Sequence, residues 1–320
     1  MKVLIVGGAG YVGAPLTYKL WRDGHDVTVL DLLLFGGESL LPLQDQERYR
    51  LVVGDLRDEV TLDQVMAGQD AVVLLGAIVG EPASNRDPEA TYTTNQVGAE
   101  KVRDAAKRHS VERFVFVSTC SNYGISGVEG AVAEDAPLMP ISPYSVTKVA
   151  AEKMLLGSVA EKFHPTVLRL STAFGMSPRM RFDLLVSDFT LAAVRDGKIV
   201  IYGEQFWRPF VHVQDIATAI DMVLHADIDL VSGEVFNVGS NANNTQKIDL
   251  GKAVQQVLPE TQLEFVERNE DPRSYQVDFT KIEETLGFKA QWSIDAGIRE
   301  LAQALQDGVF PDPTQDRYHN

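Results

Sequence analysis

Tyr144 and Lys148 are the two side chains of this sequence whose types and spacing point most clearly to chemistry. Residues four apart lie on the same face of a helix, so the phenol and the ammonium can interact. A tyrosine has an unperturbed pKa of about 10 and is a weak base at neutral pH, and a neighbouring Lys⁺ favours its phenolate. The pair by itself also fits an ordinary solvated helix face. It predicts a proton-transfer site where further residues bring a cofactor and a substrate oxygen to the same place.

Two hydroxyl residues at a strand end supply the third member of this set. Ser118 and Thr119 close the β-branched run that begins at Arg113. We expect Thr119 to hold a substrate oxygen beside Tyr144, and Ser118 to face the cofactor. Thr119, Tyr144 and Lys148 then form a catalytic set for hydride transfer. In this arrangement Tyr144 and Lys148 also contact the cofactor, because the ammonium can hold a ribose hydroxyl of the nicotinamide nucleotide.

A glycine-rich turn predicts where that cofactor binds. The segment VGGAGYVG near the amino terminus follows an apolar run and opens a helical pattern, which is the context that a dinucleotide fingerprint requires. Gly7 allows the tight turn, Gly10 lets backbone amides approach a pyrophosphate, and Gly13 lets the helix pack closely on the sheet. The phosphates then lie at the helix N-terminus, beside Tyr11 and Val12. The alternative is a glycine-rich turn that binds nothing.

Residues at other strand ends define the remainder of the cofactor site. Asp31 ends the second predicted strand, where a carboxylate accepts hydrogen bonds from both hydroxyls of an adenosine ribose and repels a 2′-phosphate. Together with the glycine turn, Asp31 predicts NAD rather than NADP as the cofactor. Ligands of such sheets bind beyond the carboxyl ends of the strands, which adds further candidate contacts to adenine and ribose at Asp55, Leu56, Gly76, Ala77 and Ile78.

The candidate residues can form one site only if a parallel sheet brings the ends of their strands to one edge. The apolar pattern of the sequence predicts such a sheet. Short apolar runs alternate with helical patterns through the first half of the chain, which is typical of βαβ units in a parallel sheet buried on both faces. The predicted strands are Lys2–Val6, Asp26–Leu30, Arg50–Val53, Ala71–Leu75, Arg113–Val117 and Thr166–Leu170. The predicted helices are Tyr11–Gly24, Leu62–Met66, Pro88–His109 and Tyr144–Phe163. The fold class is therefore α/β, with a Rossmann-like, doubly wound parallel sheet.

The pattern changes after Leu170 and predicts a smaller α+β lobe at the carboxyl-terminal end. Helical patterns predominate there, at Phe182–Asp196, Asp215–Ala226, Gln246–Val257 and Ser293–Gln306. We expect an NAD-binding domain of residues 1–171, to which 212–240 return, and a substrate-binding lobe of residues 172–211 and 241–320. The tail Phe310–Asn320 has two prolines and no apolar periodicity, and is predicted to be loose.

Composition excludes several classes of protein. The 320 residues include 45 acidic and 29 basic ones, and the formal net charge is −16, which argues against a nucleic-acid partner and a polybasic membrane-surface protein. The longest apolar stretch, Ala71–Gly80, is about ten residues long and too short to cross a bilayer. The single cysteine, Cys120, excludes an internal disulfide and fits a reducing compartment. We expect a cytoplasmic protein that binds a small molecule.

Several motifs together resemble the extended short-chain dehydrogenases/reductases, and within them the nucleotide-sugar epimerases, dehydratases and ketoreductases. The resemblance covers nearly the whole chain and rests on the glycine turn, Asp31, Ser118–Gly124 and Tyr144-x-x-x-Lys148. Similar segments of that group recur at Arg169–Gly175, Trp207–Asp215, Asn237–Gly239 and Leu286–Phe288. The resemblance implies bound NAD and a nucleotide-sugar substrate.

Further roles follow from the resemblance alone. Asn95 matches an asparagine near the active site and is assigned to the cofactor. Arg208, helped by Arg273, would grip the nucleotide diphosphate, since bidentate guanidinium–phosphate contacts let even a chain of negative net charge hold an anion. The expected substrate contacts besides these arginines are Thr119, Cys120, Ser121 and Thr172. Relatives dimerise through a four-helix bundle, so Asn95–His109 and Tyr144–Phe163 imply a homodimer.

Departures from the group's motifs narrow the reaction. Sugar-nucleotide 4,6-dehydratases carry Asp-Glu directly after the catalytic threonine, because elimination of water needs an acid and a base. Here Cys120 and Ser121 occupy those positions, which disfavours a dehydratase. Cys120 itself is more consistent with a packed thiol than with a catalytic one. Thr172 and Pro209 replace the asparagine and aspartate of many relatives.

Three functions remain open on these residues. The first is an NAD-dependent nucleotide-sugar epimerase, in which Tyr144 moves a proton while NAD takes and returns a hydride. The second is a net reductase or dehydrogenase for a keto-sugar nucleotide or another small carbonyl, which would use the same residues. The third is a non-catalytic NAD-binding protein, against which the set Thr119, Tyr144 and Lys148 argues.

Overall fold

A computed structural model describes residues 1–124, 130–266 and 274–320 of the chain. Its strands are β1 Lys2–Val6, β2 Asp26–Asp31, β3 Tyr49–Val53, β4 Ala71–Leu74, β5 Arg113–Thr119, β6 Ala131–Val132, β7 His164–Leu170, β8 Thr172–Phe174, β9 Lys198–Tyr202, β10 Trp207–His212, β11 Val235–Val238, β12 Asn244–Gln246, β13 Gln262–Val266 and β14 Gln276–Val277. Its α-helices are α1 Gly13–Arg22, α2 Glu59–Met66, α3 Glu81–Arg86, α4 Pro88–Tyr92, α5 Gly98–Arg108, α6 Pro143–Leu156, α7 Leu185–Asp196, α8 Val213–His225, α9 Ile228–Val231, α10 Lys247–Val257, α11 Thr280–Leu286 and α12 Ile294–Gln306.

A seven-stranded parallel sheet forms the centre of the described chain, in the order β11-β7-β5-β4-β1-β2-β3. The predicted α/β class and doubly wound sheet are confirmed. Strands such as β4 are buried along their whole length, as expected where helices cover both faces. The chain winds outward from β1 in both directions, so the sheet has its topological switch point between β1 and β4.

Each face of this sheet carries its own apolar core. On one face, α1 and α8 contribute Leu16, Leu20, Ile216 and Ile220 to a cluster with Val3 and Ile5 of β1. On the other face, α2, α5 and α6 contribute Leu62, Val102 and Leu155, which pack with Leu4 and Val6 of the same strand. Because alternate residues of β1 enter opposite cores, the strand is apolar at nearly every position, and this gave the sequence its continuous apolar run.

Most predicted helices differ from the observed ones by up to three residues at an end, and two differ by more. The helix expected over Pro88–His109 consists of α4, a π-helical turn at Thr93–Val97 and α5. The helix expected over Tyr144–Phe163 begins one residue earlier and ends at Leu156, where Gly157 caps it. Its start is fixed by a capping box between Ser142 and Ser145, which satisfies amides of the first turn.

The remaining elements form smaller sheets with helices beside them. Strands β8, β10 and β12 form one sheet, and β9 pairs with β13 in another. Helices α7, α10 and α12 enclose a separate apolar cluster that includes Phe189, Leu250 and Ile298. By contrast, β11 pairs with β7 of the central sheet and α8 packs against α1. We retain on this ground the proposed division into a domain of 1–171 with 212–240 and a lobe of 172–211 with 241–320.

The carboxyl-terminal tail is docked, and the expectation of a loose tail was wrong. The rings of Phe310 and Tyr318 pack on Phe182, with ring centroids 5.2 Å and 5.5 Å from it. The backbone amide of Phe182 donates a hydrogen bond to the Tyr318 carbonyl at 3.0 Å. Asn320 accepts a hydrogen bond from Arg179 at 2.7 Å. Two aromatic rings anchor the segment, although its apolar residues are too sparse to show a period.

Candidate active site

A cleft with a volume of about 720 Å³ lies at the carboxyl ends of the central strands. Its described lining combines the glycine turn, the ends of β2, β4 and β5, the start of α6, and residues of the smaller lobe. This is the switch point of the sheet, where α/β folds bind their ligands. The cleft therefore brings together the segments that the sequence singled out separately.

The glycine turn forms the floor of the cleft. Gly7 has a φ of 90°, which glycine adopts without strain, and a Cβ at Gly13 would collide with the carbonyl oxygen of Gly7. Helix α1 starts here with neither a side-chain cap nor an acidic residue in its first turn. The backbone of Gly10, Tyr11 and Val12 thus borders a helix N-terminus that suits a phosphate. The Tyr11 hydroxyl donates to the Gly175 carbonyl at 2.7 Å, and burial raises the pKa of that phenol.

Asp31 is joined to this turn by hydrogen bonds. Its Oδ2 accepts from the amide of Ala9 and its Oδ1 from the amide of Leu33, each at 2.9 Å. The carboxylate lines the cleft at the end of β2. The same residue that was predicted to hold a ribose therefore also fixes the backbone of the phosphate turn.

The ends of β3 and β4 form the next part of the wall. Gly76, Ala77 and Ile78 line the cleft, as do Asp55 and Leu56. The guanidinium of Arg57 lies 2.6 Å from the Asp55 carboxylate, and this hydrogen bond lowers the pKa of Asp55.

Asn95 is placed differently from the expectation, since it is not among the described residues that line the cleft. It is buried in the π-helical turn, where its side chain accepts from the amide of Ile78 at 2.8 Å and donates to the carbonyl of Ile78 at 2.9 Å. The turn rotates Asn95 towards the loop after β4. Asn95 thus positions a wall of the cleft from behind.

Thr119, Tyr144 and Lys148 all line the cleft. Lys148 is 3% exposed, and its Nζ donates to the Val117 carbonyl at 2.8 Å and lies 4.6 Å from the centre of the Phe116 ring. Burial lowers the pKa of Lys148 to about 8. The Thr119 Oγ1 accepts from the amide of Ser121 at 3.1 Å, which fixes its side chain at the end of β5.

A buried polar network supports this set from beneath, and the sequence analysis missed it. Glu152, one helical turn after Lys148, forms an ion pair with Arg169 at 2.8 Å. Its Oε1 also accepts hydrogen bonds from the Ser118 hydroxyl and, at 2.7 Å, from the Asn122 amide. The network ties the end of β5 to α6 and β7. The spacing of Glu152 four residues after Lys148 was the available signal, because it places both on one face of α6.

Cys120 also departs from its expected position. Ser121 lines the cleft, but Cys120 is buried in an apolar cluster with Tyr123, Val277 and Phe279. Its thiol lies 3.2 Å from the Arg169 carbonyl, and burial raises the pKa of the thiol. The side chain that follows Thr119 points away from the cleft, so it packs rather than contacting a substrate.

The smaller lobe closes one end of the cleft with basic and aromatic side chains. Arg208 and Thr172, which were both predicted to contact the substrate, line the cleft. The buried Arg208 donates to the Trp207 carbonyl at 2.8 Å, and its guanidinium lies 5.7 Å from the Tyr275 ring centre. Lys247 and Tyr275 line the same end and were not predicted. Arg273 lies outside the described residues.

The opposite end, beside Asp31, holds a second group that the sequence analysis missed. Arg179 and Arg181 are both buried and line the cleft. The Arg179 guanidinium lies 3.9 Å from the centre of the Phe35 ring, and burial lowers the pKa of Arg179 to about 10. Two arginines in the short segment SPRMR were the available signal, although nothing local showed that they face the cleft.

This fold and cleft define a dinucleotide-binding α/β enzyme, and comparison with known proteins gives its family. The model of the NAD-dependent epimerase/dehydratase family matches residues 3–239, and the chain belongs to that family. The predicted resemblance to extended short-chain dehydrogenases/reductases and the prediction of NAD as the cofactor are confirmed.

The similar proteins include both a dehydratase and an epimerase. The chain is 32% identical over 305 residues to the low-salt glycan biosynthesis protein Agl12 of Haloferax volcanii, covering 93% of this chain and 96% of that protein. It is 30% identical over 325 residues to a dTDP-glucose 4,6-dehydratase of Streptomyces niveus, covering 96% and 93%. It is 29% identical over 310 residues to a UDP-glucose 4-epimerase of Lactobacillus helveticus, covering 90% and 92%.

Solved structures agree with this assignment. A UDP-glucose 4-epimerase of Thermotoga maritima with UDP-glucose superposes with a TM-score of 0.87 at 25% identity, covering 97% of this chain and all of that one. The dTDP-glucose 4,6-dehydratase DesIV of Streptomyces venezuelae with NAD bound gives 0.86 at 25% identity, covering 98% of this chain and all of that one. Among the described residues, no helix combines the length and the apolarity that crossing a membrane requires.

Proposed function

We propose that this protein is an NAD-dependent nucleotide-sugar epimerase. The observation that carries the proposal is that Thr119, Tyr144 and Lys148 share one cleft with the glycine turn, while the two residues that follow Thr119 in the sequence, Cys120 and Ser121, carry no carboxyl group. The enzyme class follows from the family, and the epimerase reaction is the finer step that we infer.

The cleft has the features that NAD requires. The close backbone contact of Gly7 with Gly13 leaves room for a pyrophosphate. The start of α1 has no side-chain cap, so its backbone amides are available as donors to the phosphates. Asp31, which lines the cleft, would accept hydrogen bonds from an adenosine ribose, and Arg179 at the same end would direct its positive charge at the cofactor's phosphates. When bound, NAD would accept a hydride from the substrate and return it. Lys148, on the other side, would hold the second ribose.

Proton transfer is assigned to Tyr144. The proximity of the Lys148 ammonium, one helical turn away, favours the phenolate that takes a proton from a sugar hydroxyl. Lys148 keeps its proton below pH about 8 in its buried position. Thr119 would orient the reacting oxygen, since its own side chain is held by the amide of Ser121. The Glu152–Arg169 pair would maintain the distance between β5 and α6, on which this geometry depends.

The substrate end suits a nucleoside diphosphate. Arg208 and Lys247 line it with two positive charges, and Tyr275 beside Arg208 offers an aromatic face. Guanidinium contacts to phosphate are bidentate and strong in a buried setting, so the net charge of −16 is no obstacle. Thr172, which also lines the cleft, would contact the sugar.

The dehydratase reaction is the main alternative within the family. Elimination of water from the sugar needs an acid and a base close to Thr119, and Ser121 is a weak substitute for a carboxyl group. Cys120 cannot take that role from its buried position, because its thiol faces Arg169 and away from the cleft. We therefore favour epimerisation over dehydration.

A net reductase would use the same residues, and cofactor retention distinguishes the two. An epimerase regenerates NAD in each turnover and needs no cofactor exchange. We expect denaturation of the purified protein to release close to one equivalent of NAD(H), measured by enzymatic cycling. A protein that is purified empty and consumes added NADH in the presence of a keto-sugar nucleotide would support the reductase and contradict the epimerase.

We also propose that the chain forms a homodimer through α5 and α6. The two helices contact each other on one face of the sheet, and Val146 of α6 and Tyr92 just before the π-helical turn are apolar and exposed. A pair of such faces could form a four-helix bundle. Sedimentation equilibrium tests this, and Val146→Glu should shift a dimer to monomer.

A further inference from the structure

A cluster of His25, Asp221 and His225 lies at the edge of the sheet opposite the cleft. His25 directly precedes β2, and Asp221 and His225 occupy the last turn of α8. One possible ligand atom from each of the three residues lies within 4.8 Å of the others. The cluster is remote from the strand ends that form the candidate active site, so the proposed reaction leaves it without a role.

One ring nitrogen of this cluster, Nδ1 of His25, is buried without a hydrogen-bond partner. Oδ1 of Asp221 is also buried and makes no hydrogen bond, although Nδ1 of His225 lies 3.1 Å from it. His25 is only 5% exposed, so water does not readily satisfy its ring nitrogen. Buried polar atoms almost always have a partner, and those that lack one call for an explanation such as an ion. Nδ1 of His25 and Oδ1 of Asp221 are both atoms that commonly bind metal ions.

His225 completes the group from the exposed side. Its Nδ1 lies 3.1 Å from Oδ1 of Asp221 and 2.9 Å from the Asp221 carbonyl oxygen, and its ring centre is 5.1 Å from that of His25. Residues four apart on a helix present their side chains on one face, which is how helical pairs chelate a metal. The His225 side chain is 53% exposed, which gives an ion a route into the cluster and lets the imidazole turn towards it.

Charges around the cluster are compatible with a cation. Lys19 lies 3.1 Å from Asp221, but on Oδ2, the other carboxylate oxygen, and its ammonium is shared with Asp23 at 2.9 Å. The Arg48 guanidinium contacts the backbone carbonyl of His25 and not its ring.

We propose that His25, Asp221 and His225 bind a divalent transition-metal ion, with zinc as the best match. Two imidazoles and one carboxylate suit Zn²⁺ and its neighbours, and not Mg²⁺ or Ca²⁺, which prefer oxygen ligands. Ligands of zinc lie about 2.0–2.2 Å from the ion, so the cluster must contract slightly, and the exposed His225 is free to move. Water would complete the coordination. The ion would fasten the turn before β2 to the end of α8.

The test uses the untagged full-length protein and the metal alone. Isothermal titration with ZnCl₂ should show one site, and CoCl₂ should give visible absorption bands of bound Co²⁺, whereas MgCl₂ should give neither. His25→Ala and His225→Ala should each weaken zinc binding at least about 10-fold, since even residues that only orient metal ligands are worth that much. The apparent unfolding temperature should rise with Zn²⁺ in the wild type and not in the variants.

A matched control is available at a second histidine–carboxylate pair. His109 lies 3.1 Å from Asp63, but among the described residues no third His, Cys or carboxylate completes a ligand group there. His109→Ala should leave zinc binding unchanged. The proposal is overturned if wild type binds Zn²⁺ no more tightly than the His25→Ala and His225→Ala double variant. If His25→Ala fails to fold, the exposed His225→Ala variant alone decides: unchanged zinc affinity in it also overturns the proposal.

Discussion

The two ends of the cleft are built in different ways. At the cofactor end, the hydrogen bonds that join Asp31 to the glycine turn lie within the first 33 residues and end on backbone amides, although Gly175 and Ser177 add contacts to Tyr11 from a distant segment. At the substrate end, Arg208, Lys247 and Tyr275 come from three separate segments of the smaller lobe. Backbone geometry recurs as a local sequence pattern, whereas a side-chain pocket depends on how distant segments pack. The cofactor end therefore accounts for the match to the family, and we expect the substrate end to determine which substrate binds.

The largest effect should come from the residue between the two ends. Tyr144→Phe removes the hydroxyl that moves the proton, so turnover should fall about 10²–10⁴-fold, the range of general acid–base contributions. NAD content should stay unchanged, because the ring remains. Kinetics and cofactor release should be compared with Tyr92→Phe, which changes an exposed tyrosine on α4. Near-normal turnover in the Tyr144→Phe variant would show that Tyr144 does not transfer the proton.

Arg208→Ala tests the substrate end by itself. Loss of a charge-assisted hydrogen bond to phosphate costs about 1.5–3 kcal/mol, which is about 10–100-fold in affinity. The KM for a nucleotide sugar should rise by that factor while bound NAD is retained. Arg179→Ala is the converse control at the cofactor end and should lower NAD content. If Arg208→Ala loses NAD, or Arg179→Ala affects only the sugar nucleotide, the division between the two ends is wrong.

Asp31→Ala sharpens the cofactor end. The variant loses acceptors for a ribose and for the amides of Ala9 and Leu33, so NAD should bind about 10-fold more weakly. Discrimination against NADP should relax, because the negative charge that repels a 2′-phosphate is gone. Titration of apoprotein with both nucleotides measures this, with the exposed Asp45 changed to Ala as control. A wild type that already prefers NADP would contradict the role given to Asp31.

The smallest effect should come from the tail. Phe310→Ala removes a ring that packs on Phe182 and Tyr318, and should destabilise the docked segment by about 1–3 kcal/mol, less than a fully buried Phe→Ala change. Release of Asn320 from Arg179 should then weaken NAD binding by a few-fold. The neighbouring exposed Val309→Ala should change neither. Protease sensitivity of the tail and NAD titration provide the measurements.

The sequence predicts the cofactor end of the cleft better than the substrate end. Each of the six predicted strands of the central sheet agrees with the structure within two residues at both ends, because strands buried on both faces leave continuous apolar runs. The glycine turn and the position of Asp31 followed from local patterns. The seventh strand, β11, was not predicted as part of the sheet from its own pattern, since it is only four residues long.

Residues that depend on distant packing were missed. Arg179 faces the cleft only because the segment after β8 passes beside the glycine turn, where Ser177 donates to the Tyr11 carbonyl at 2.7 Å. Cys120 was expected at the substrate because of its place after Thr119, but the helical turn that starts there directs it into an apolar cluster. The division of the helix at Thr93–Val97 depends on the contact of Asn95 with Ile78, which no local propensity encodes.

Products formed without added cofactor test the central claim most directly. The protein as purified should be incubated with UDP-glucose and with dTDP-glucose, and the sugars analysed by NMR and mass spectrometry. The account predicts a stereoisomer of the same mass from a nucleotide sugar, with no net change in NADH absorbance. A 4-keto-6-deoxy sugar that has lost water would make this protein a dehydratase and contradict the proposed reaction.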